Sequence, residues 1–296
     1  MENKNSKLIP WLLFALLSLI WGSSFILMKR GLFTANGTPT LSAYQVAALR
    51  MLSAGVVLLP VAFMHIRKIP RTKTGWIVLS GLLGSFFPAF LFCIAETKID
   101  SSLAGFLNAL TPIFTIVVGV LFFQSVIQKQ KILGVGIAFA GMVLLFLSNP
   151  NINLQYLWYA GFVLLATILY GFNVNIASNH LRDIPSTVIA AIAFGSLVPL
   201  SLVVLYVTGY FDLPLSNQEL LVSTGASTIL GVFGTALATI LFYILLKRAG
   251  AIFASMVTYG IPFIALAWGL ADGESIHGLQ VAGLTIILLG VYKANK

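Results

Sequence analysis

The chain reads as an all-α integral membrane protein of ten transmembrane helices, arranged as two inverted five-helix repeats, 1–148 and 149–296. Three observations predict this. Apolar residues make up 59% of the chain and charged residues only 8%, with a mean hydropathy of +1.00, far outside the balance of a soluble domain. The apolar residues fall into ten runs between short polar corners, leaving no stretch for a separate soluble core. Finally, residues 85–125 and 235–275 overlay at a constant offset of 150, so that Ala104 falls on Ala254, Pro112 on Pro262, Gly119 on Gly269 and Ser125 on Ser275. Letter identity is sparse, and the match rests on punctuation.

In order, the runs lie near 8–28, 43–64, 75–95, 101–123 and 132–148, then 156–178, 185–207, 220–246, 250–271 and 277–293. Most have the roughly 17–25 residues a helix needs to cross the hydrocarbon, the fifth and tenth being at the short end. The first run is too long for a signal's apolar region and no small-x-small cleavage site follows it, so it is expected to be retained. Outside the overlaid stretches the duplication continues: Trp21-Gly22 falls on Tyr170-Gly171 at an offset of 149, and Gly134 and Gly141 fall on Gly283 and Gly290. Small-residue rows such as Gly136 with Ala140 are expected to be close helix contacts. The lone Cys93 lies inside an apolar run and can form no internal bridge.

Placing the N-terminus in the cytoplasm puts every loop cation except Lys29, Arg30 and Lys98 on the cytoplasmic side. Both termini are then cytoplasmic, in an inner-membrane, multi-pass chain. The net charge of +9 follows from that topology and implies no nucleic-acid partner. Five crossings per half force the second copy to start from the opposite face. Inverted repeats of this kind commonly build alternating access around a site near the midplane.

Ile9-Pro10-Trp11 leading to Trp21-Gly22-Ser23-Ser24-Phe25, Arg50 in the second run, Lys247-Arg248-Ala249-Gly250-Ala251, Tyr259-Gly260-Ile261-Pro262, and Gly273-Glu274 before Gly283 and Gly290 carry a resemblance. Across Leu8 to Tyr292 the chain resembles the drug/metabolite transporter superfamily, and within it the ten-helix EamA type. That resemblance implies an inner-membrane exporter of amino acids or related small metabolites. The family's Gly-Glu ending stands in the second half only, where the first half has Phe123-Gln124, so no coupling role shared by both halves falls to Glu274.

Arg50 is the one basic residue well inside a run, and its cost at a helix centre, roughly 2.5–3.5 kcal/mol on insertion scales, requires it to face protein or water. It either recognises an anionic substrate group or is satisfied by helix-end carbonyls, Glu96 or Asp100. Glu96 is a coupling carboxyl if drawn inward, and otherwise an interfacial acid beside Lys98. Asn108 and its counterpart Thr258, with Tyr259, stand one turn before prolines that each free a carbonyl four residues back. They form either a polar floor at mid-membrane depth or helix-packing contacts. Tyr170, Asn173 and Asn175 on the sixth run, with Ser23 and Ser24 on the first, either bond across to other helices or face a cavity. Trp21, Tyr243 and Trp268 lie deep enough to form an aromatic lining or core, whereas Trp11 and Trp158 sit at run ends as belt residues.

The expected partners are a small-molecule substrate and the lipid bilayer, with no cofactor and no metal. His65, His180 and His277 all sit at run ends without a ligand companion at helical spacing. No Walker A, Gly-x-Ser-x-Gly or paired interior carboxylates appear. Uphill transport would therefore draw on a proton or a counter-substrate. A channel or lipid scramblase shares the same repeat plan, and a membrane sensor is the non-transport alternative.

Overall fold

The computed structural model describes residues 4–148, 155–214, 216–271 and 278–295. Among them every regular element is helical, and the one isolated bridge joins Phe33 and Pro39. Among the described residues, nine helices have the length and apolarity to cross a bilayer: α1 Leu8–Leu32, α2 Ala43–Lys68, α3 Arg71–Glu96, α4 Leu103–Phe123, α5 Lys129–Leu147, α6 Trp158–His180, α7 Ser186–Val207, α8 Gln218–Ala249 and α9 Ala251–Trp268. A tenth, α10 Gly278–Ala294, is apolar and shorter. Asp272, Gly273, Glu274, Ser275 and His277 lie outside the described residues.

Local chemistry sets the helix ends. Ser42 and Gln45 close a reciprocal capping box at the start of α2, and Asn217 accepts from the Glu219 amide at the start of α8. Between α8 and α9 the chain turns at Gly250, whose φ of +84° is open to a residue without a Cβ.

The packing repeats itself when each helix is exchanged for the one five positions away. Two contacts map onto themselves, α5 against α10 and α2 against α7, and these are the most extensive in the molecule. The others come in pairs: α4 on α6 matches α9 on α1, α3 on α6 matches α8 on α1, and α2 on α8 matches α7 on α3. Because five crossings reverse direction, this exchange relates inverted halves.

The α5–α10 seam shows why glycine recurs there. A Cβ on Gly290 would stand 2.3 Å from the Ala138 nitrogen, and one on Gly141 would stand 2.7 Å from the Gly283 carbonyl. The helices meet backbone to backbone, the approach that small residues permit in lipid. The row in contact is Gly134, Ala138 and Gly141. Gly136 and Ala140, expected in such a row, instead face outward, and a Cβ on Gly136 would meet nothing within 4 Å. The two residues between Gly134 and Gly136 turn the helix by about 200°, which puts the second row on the far side from the seam.

Among the described residues, four helices are interrupted within their length, in two matched pairs. α3 carries a π-helical turn at Leu82–Phe86 and α8 one at Val232–Leu237, again 150 residues apart. α4 breaks after Asn108 and resumes at Thr111; α9 tightens into a 3-10 turn at Met256–Gly260 before Ile261. These interruptions surround the interior cavity described next.

Candidate functional site

The cavity has an empty volume of about 960 Å³, its open mouth included, within the range of small-molecule sites. Both halves wall it. Trp21, Ser24, Phe25, Arg50, Ser85, Phe92 and Asn108 come from the first, and Tyr170, Asn173, Thr235, Phe242 and Thr258 are among those from the second.

The π-turn of α8 builds its most distinctive feature. Thr235 donates its hydroxyl to the Leu230 carbonyl five residues back, at 3.2 Å, and accepts a 2.6 Å hydrogen bond from Arg50 Nε. Gly231 lets α2 approach this turn, since a Cβ there would lie 2.4 Å from the Arg50 carbonyl. Arg50 is thus gripped by one nitrogen. Among the described residues no carboxylate pairs with it, and its two terminal amino groups have no protein hydrogen-bond partner. Glu96 and Asp100, the acids expected as alternatives, form no ion pair or hydrogen bond with it.

The matched π-turns place matched glycines against α1 and α6. A Cβ on Gly84 would stand 2.3 Å from Asn173 Nδ2, and one on Gly234 would stand 2.7 Å from Ser24 Oγ. Ser24 and Asn173 are themselves equivalent in the duplication. Trp21 donates Nε1 to the Gly234 carbonyl at 3.2 Å, one of the backbone groups around the π-turn. Aromatic rings complete two walls. Trp21 meets Phe242 at 5.6 Å, while Phe92 lies 6.1 Å from Tyr170 and 6.4 Å from Phe25.

Seven of the nine expected binding residues therefore meet at one cavity: Trp21, Ser24, Arg50, Asn108, Tyr170, Asn173 and Thr258. Tyr243 stands behind the wall, its hydroxyl 2.9 Å from Ser80 Oγ and donating to Asn173 Oδ1 at 3.3 Å; Ser80 donates to the same oxygen. Tyr259 is buried elsewhere, donating to the Val135 carbonyl of α5 at 3.3 Å. Trp268 is half exposed on the periphery and donates to Ser23. Asn175 does not line this cavity; its amide bonds across to the Thr115 carbonyl at 2.9 Å. The Asn108 carbonyl freed by Pro112 accepts from Thr111 Oγ1 at 2.7 Å, so a neighbouring side chain already meets it.

Glu96 lies off the cavity wall, fully buried beneath the α3–α4 turn. Ser101 donates to one carboxyl oxygen at 3.2 Å. Lys29, not Lys98, is its basic neighbour, and the Lys29 ammonium donates to the Glu96 and Ile99 carbonyls at 2.7 and 3.3 Å. Lys98 sits over the Tyr156 ring instead.

Sequence reading missed Gly84, Ser85, Gly234, Thr235 and Phe242. The signal was present: Ser85 and Thr235 open the two overlaid stretches, and the glycines stand one residue upstream.

A bundle of apolar helices in duplicate around a polar and aromatic cavity defines a multi-pass membrane transporter. The chain belongs to the EamA-like transporter family, whose pattern matches residues 9–147 and again 157–295. It is 27% identical to a "Probable amino-acid metabolite efflux pump" of Salmonella typhimurium, over 94% of this chain and 91% of that one. A protein of Escherichia coli with the same description is 27% identical at the same coverage. An "Uncharacterized transporter" of Archaeoglobus fulgidus is 26% identical over 95% of this chain and 97% of its own. A solved crystal structure superposes with a TM-score of 0.72 at 17% identity, covering 99% of this chain and 97% of that chain, which establishes a shared fold.

Proposed function

We propose that the protein is a secondary carrier, exporting a small amino-acid-like or amphipathic metabolite across the inner membrane by alternating access. In this reading both termini are cytoplasmic, and the halves 1–148 and 149–296 rock about the shared cavity. The observation that carries it is the half-free guanidinium of Arg50, held by Thr235 from the opposite repeat inside an aromatic chamber. A guanidinium kept inside the bundle without a carboxylate in direct contact is costly unless a ligand or water meets it. The matched breaks in α3, α4, α8 and α9 support the rocking motion, because interrupted helices line carrier sites near the midplane. The efflux relatives support the outward direction.

The test compares metabolites in spent medium from cells with and without the protein, followed by counterflow in proteoliposomes. Saturable counterflow of a metabolite enriched outside the expressing cells is the expected result. Flux that never saturates would replace the carrier with a channel.

A further inference from the structure

We infer that the cavity takes an amphipathic monocarboxylate lacking a free ammonium, and that the inside-negative membrane potential alone drives its export. The inference rests on the carrier reading and names its cargo class and driving force.

The polar groups of the cavity are unevenly divided between donors and acceptors. Arg50 is the one charged side chain among the described lining residues, and no Asp or Glu stands with it. Of the two amide oxygens that might receive an ammonium, that of Asn173 is already engaged. Asn173 Oδ1 accepts from both Ser80 and Tyr243, while Asn108 Oδ1 stands 3.2 Å from the Thr111 hydroxyl, whose one proton goes to the nearer Asn108 carbonyl. Ser24, Ser255 and Thr258 donate their protons to carbonyls of their own helices, so that beside Asn108 Oδ1 the acceptors are neutral hydroxyl lone pairs. The groups there that can only donate are the two Arg50 amino groups and the Nδ2 groups of Asn173 and Asn108, while the Ser85, Tyr170 and Thr239 hydroxyls can donate or accept. A carboxylate gains charge-assisted hydrogen bonds there. An ammonium would lose its hydration without a counter-charge. The rings of Trp21, Phe25, Phe92 and Phe242 suit an apolar tail.

The same charge count bears on energetics. The empty site carries one positive charge, and the site holding a monoanion carries none. Loaded reorientation is then insensitive to voltage, while the empty site returns inward with its guanidinium down the inside-negative field. Each turnover moves one negative charge out, so the potential suffices without a coupled proton. Lys29 and Glu96 lie off the wall and do not enter this cycle.

The experiment uses purified full-length protein in proteoliposomes and three probes sharing one side chain: N-acetylphenylalanine (anion), phenylalanine (zwitterion) and phenylalanine amide (cation). Counterflow of the anion is expected to exceed the other two by about tenfold, the value of one charged hydrogen bond. With valinomycin and a tenfold potassium gradient setting the interior positive, the anion is expected to accumulate roughly tenfold without a pH gradient. Arg50→Gln is expected to abolish the preference among probes. Equal or faster counterflow of the zwitterion or amide overturns the inference while leaving the carrier reading intact. Accumulation that follows an imposed proton gradient and ignores potential overturns the driving force and returns Glu96 to a coupling role. Absence of counterflow for all three overturns the cargo class, and the carrier reading then stands or falls on the spent-medium comparison.

Discussion

The two walls formed by α2 with α8 and by α7 with α3 share a backbone plan and differ in charge. Gly231 on α8 sits against the Arg50 carbonyl, and its counterpart Gly81 on α3 sits against Ala193. Gly55 on α2 likewise meets Val198 on α7, fixing the same register between these helices and making Ala193 the counterpart of Arg50. The π-turns offer Thr235 to the cavity on one side and Ser85 on the other. Duplication therefore supplies the chamber and its helix interruptions in two copies, whereas the cation is present once. A ligand held by it has one orientation, so the inverted scaffold acquires a polarity that its backbone lacks.

Removing the unmatched group breaks the comparison most severely. Arg50→Ala is expected to lower saturable counterflow about ten- to hundredfold, from the ~1.5–3 kcal/mol of a charged hydrogen bond, with membrane insertion unchanged on a blot of the membrane fraction. Wild-type flux in that variant would remove the cavity assignment and leave the fold standing.

The paired glycines give the next largest contrast, in stability. A Cβ at 231 meets backbone at 2.4 Å, whereas one at 81 comes no nearer than 3.0 Å to the Ala193 methyl. Gly231→Ala is expected to destabilise by about 1–3 kcal/mol and Gly81→Ala by less, read as thermal unfolding in detergent. Equal costs would mean that the α2–α8 contact is not the tighter one. The paired hydroxyls differ in affinity. Thr235→Val leaves Arg50 Nε without its acceptor and is expected to weaken half-saturation about five- to tenfold. Ser85→Ala, with no hydrogen bond to Arg50, is expected to change it less than twofold.

Much of the chamber was legible in the sequence because membrane insertion and duplication both write themselves in one dimension. Apolar run lengths gave the helices, and proline and glycine offsets gave the inverted pairing. Arg50 declared itself through the cost of a charge in lipid. What could not be read is rotation about a helix axis. Asn173 and Asn175 are two residues apart, some 200° around the helix, and only the first faces the cavity. The same phase error moved the seam from Gly134 to Gly136. Tyr259 failed for a different reason: the 3-10 turn at Met256–Gly260 changes the angle per residue, sending Thr258 to the cavity and Tyr259 to α5. The π-turns escaped notice because an extra residue in a turn leaves hydropathy unchanged.

The smallest effect is expected away from both walls, at the loop joining α6 to α7. Lys73 on α3 donates to the His180 carbonyl at 2.6 Å and to Asp183 at 2.9 Å, while Trp76 stacks on His180 at 4.1 Å. The Lys73 ammonium holds the Asp183 carboxyl below its ordinary range. A carboxyl whose pKa is lower in the folded state stabilises above its unfolded pKa and loses that contribution as pH falls through the folded value. The sign therefore predicts slight destabilisation in acid. Asp183 is exposed, so water screens the pair, and the carbonyl bond and ring stack remain when it is removed. Asp183→Asn should leave both the melting temperature and counterflow at neutral pH unchanged, with a flatter acid limb in the stability profile. A large loss of transport would show that this loop belongs to the moving machinery, a role that its screened charge and redundant contacts give it no means to perform.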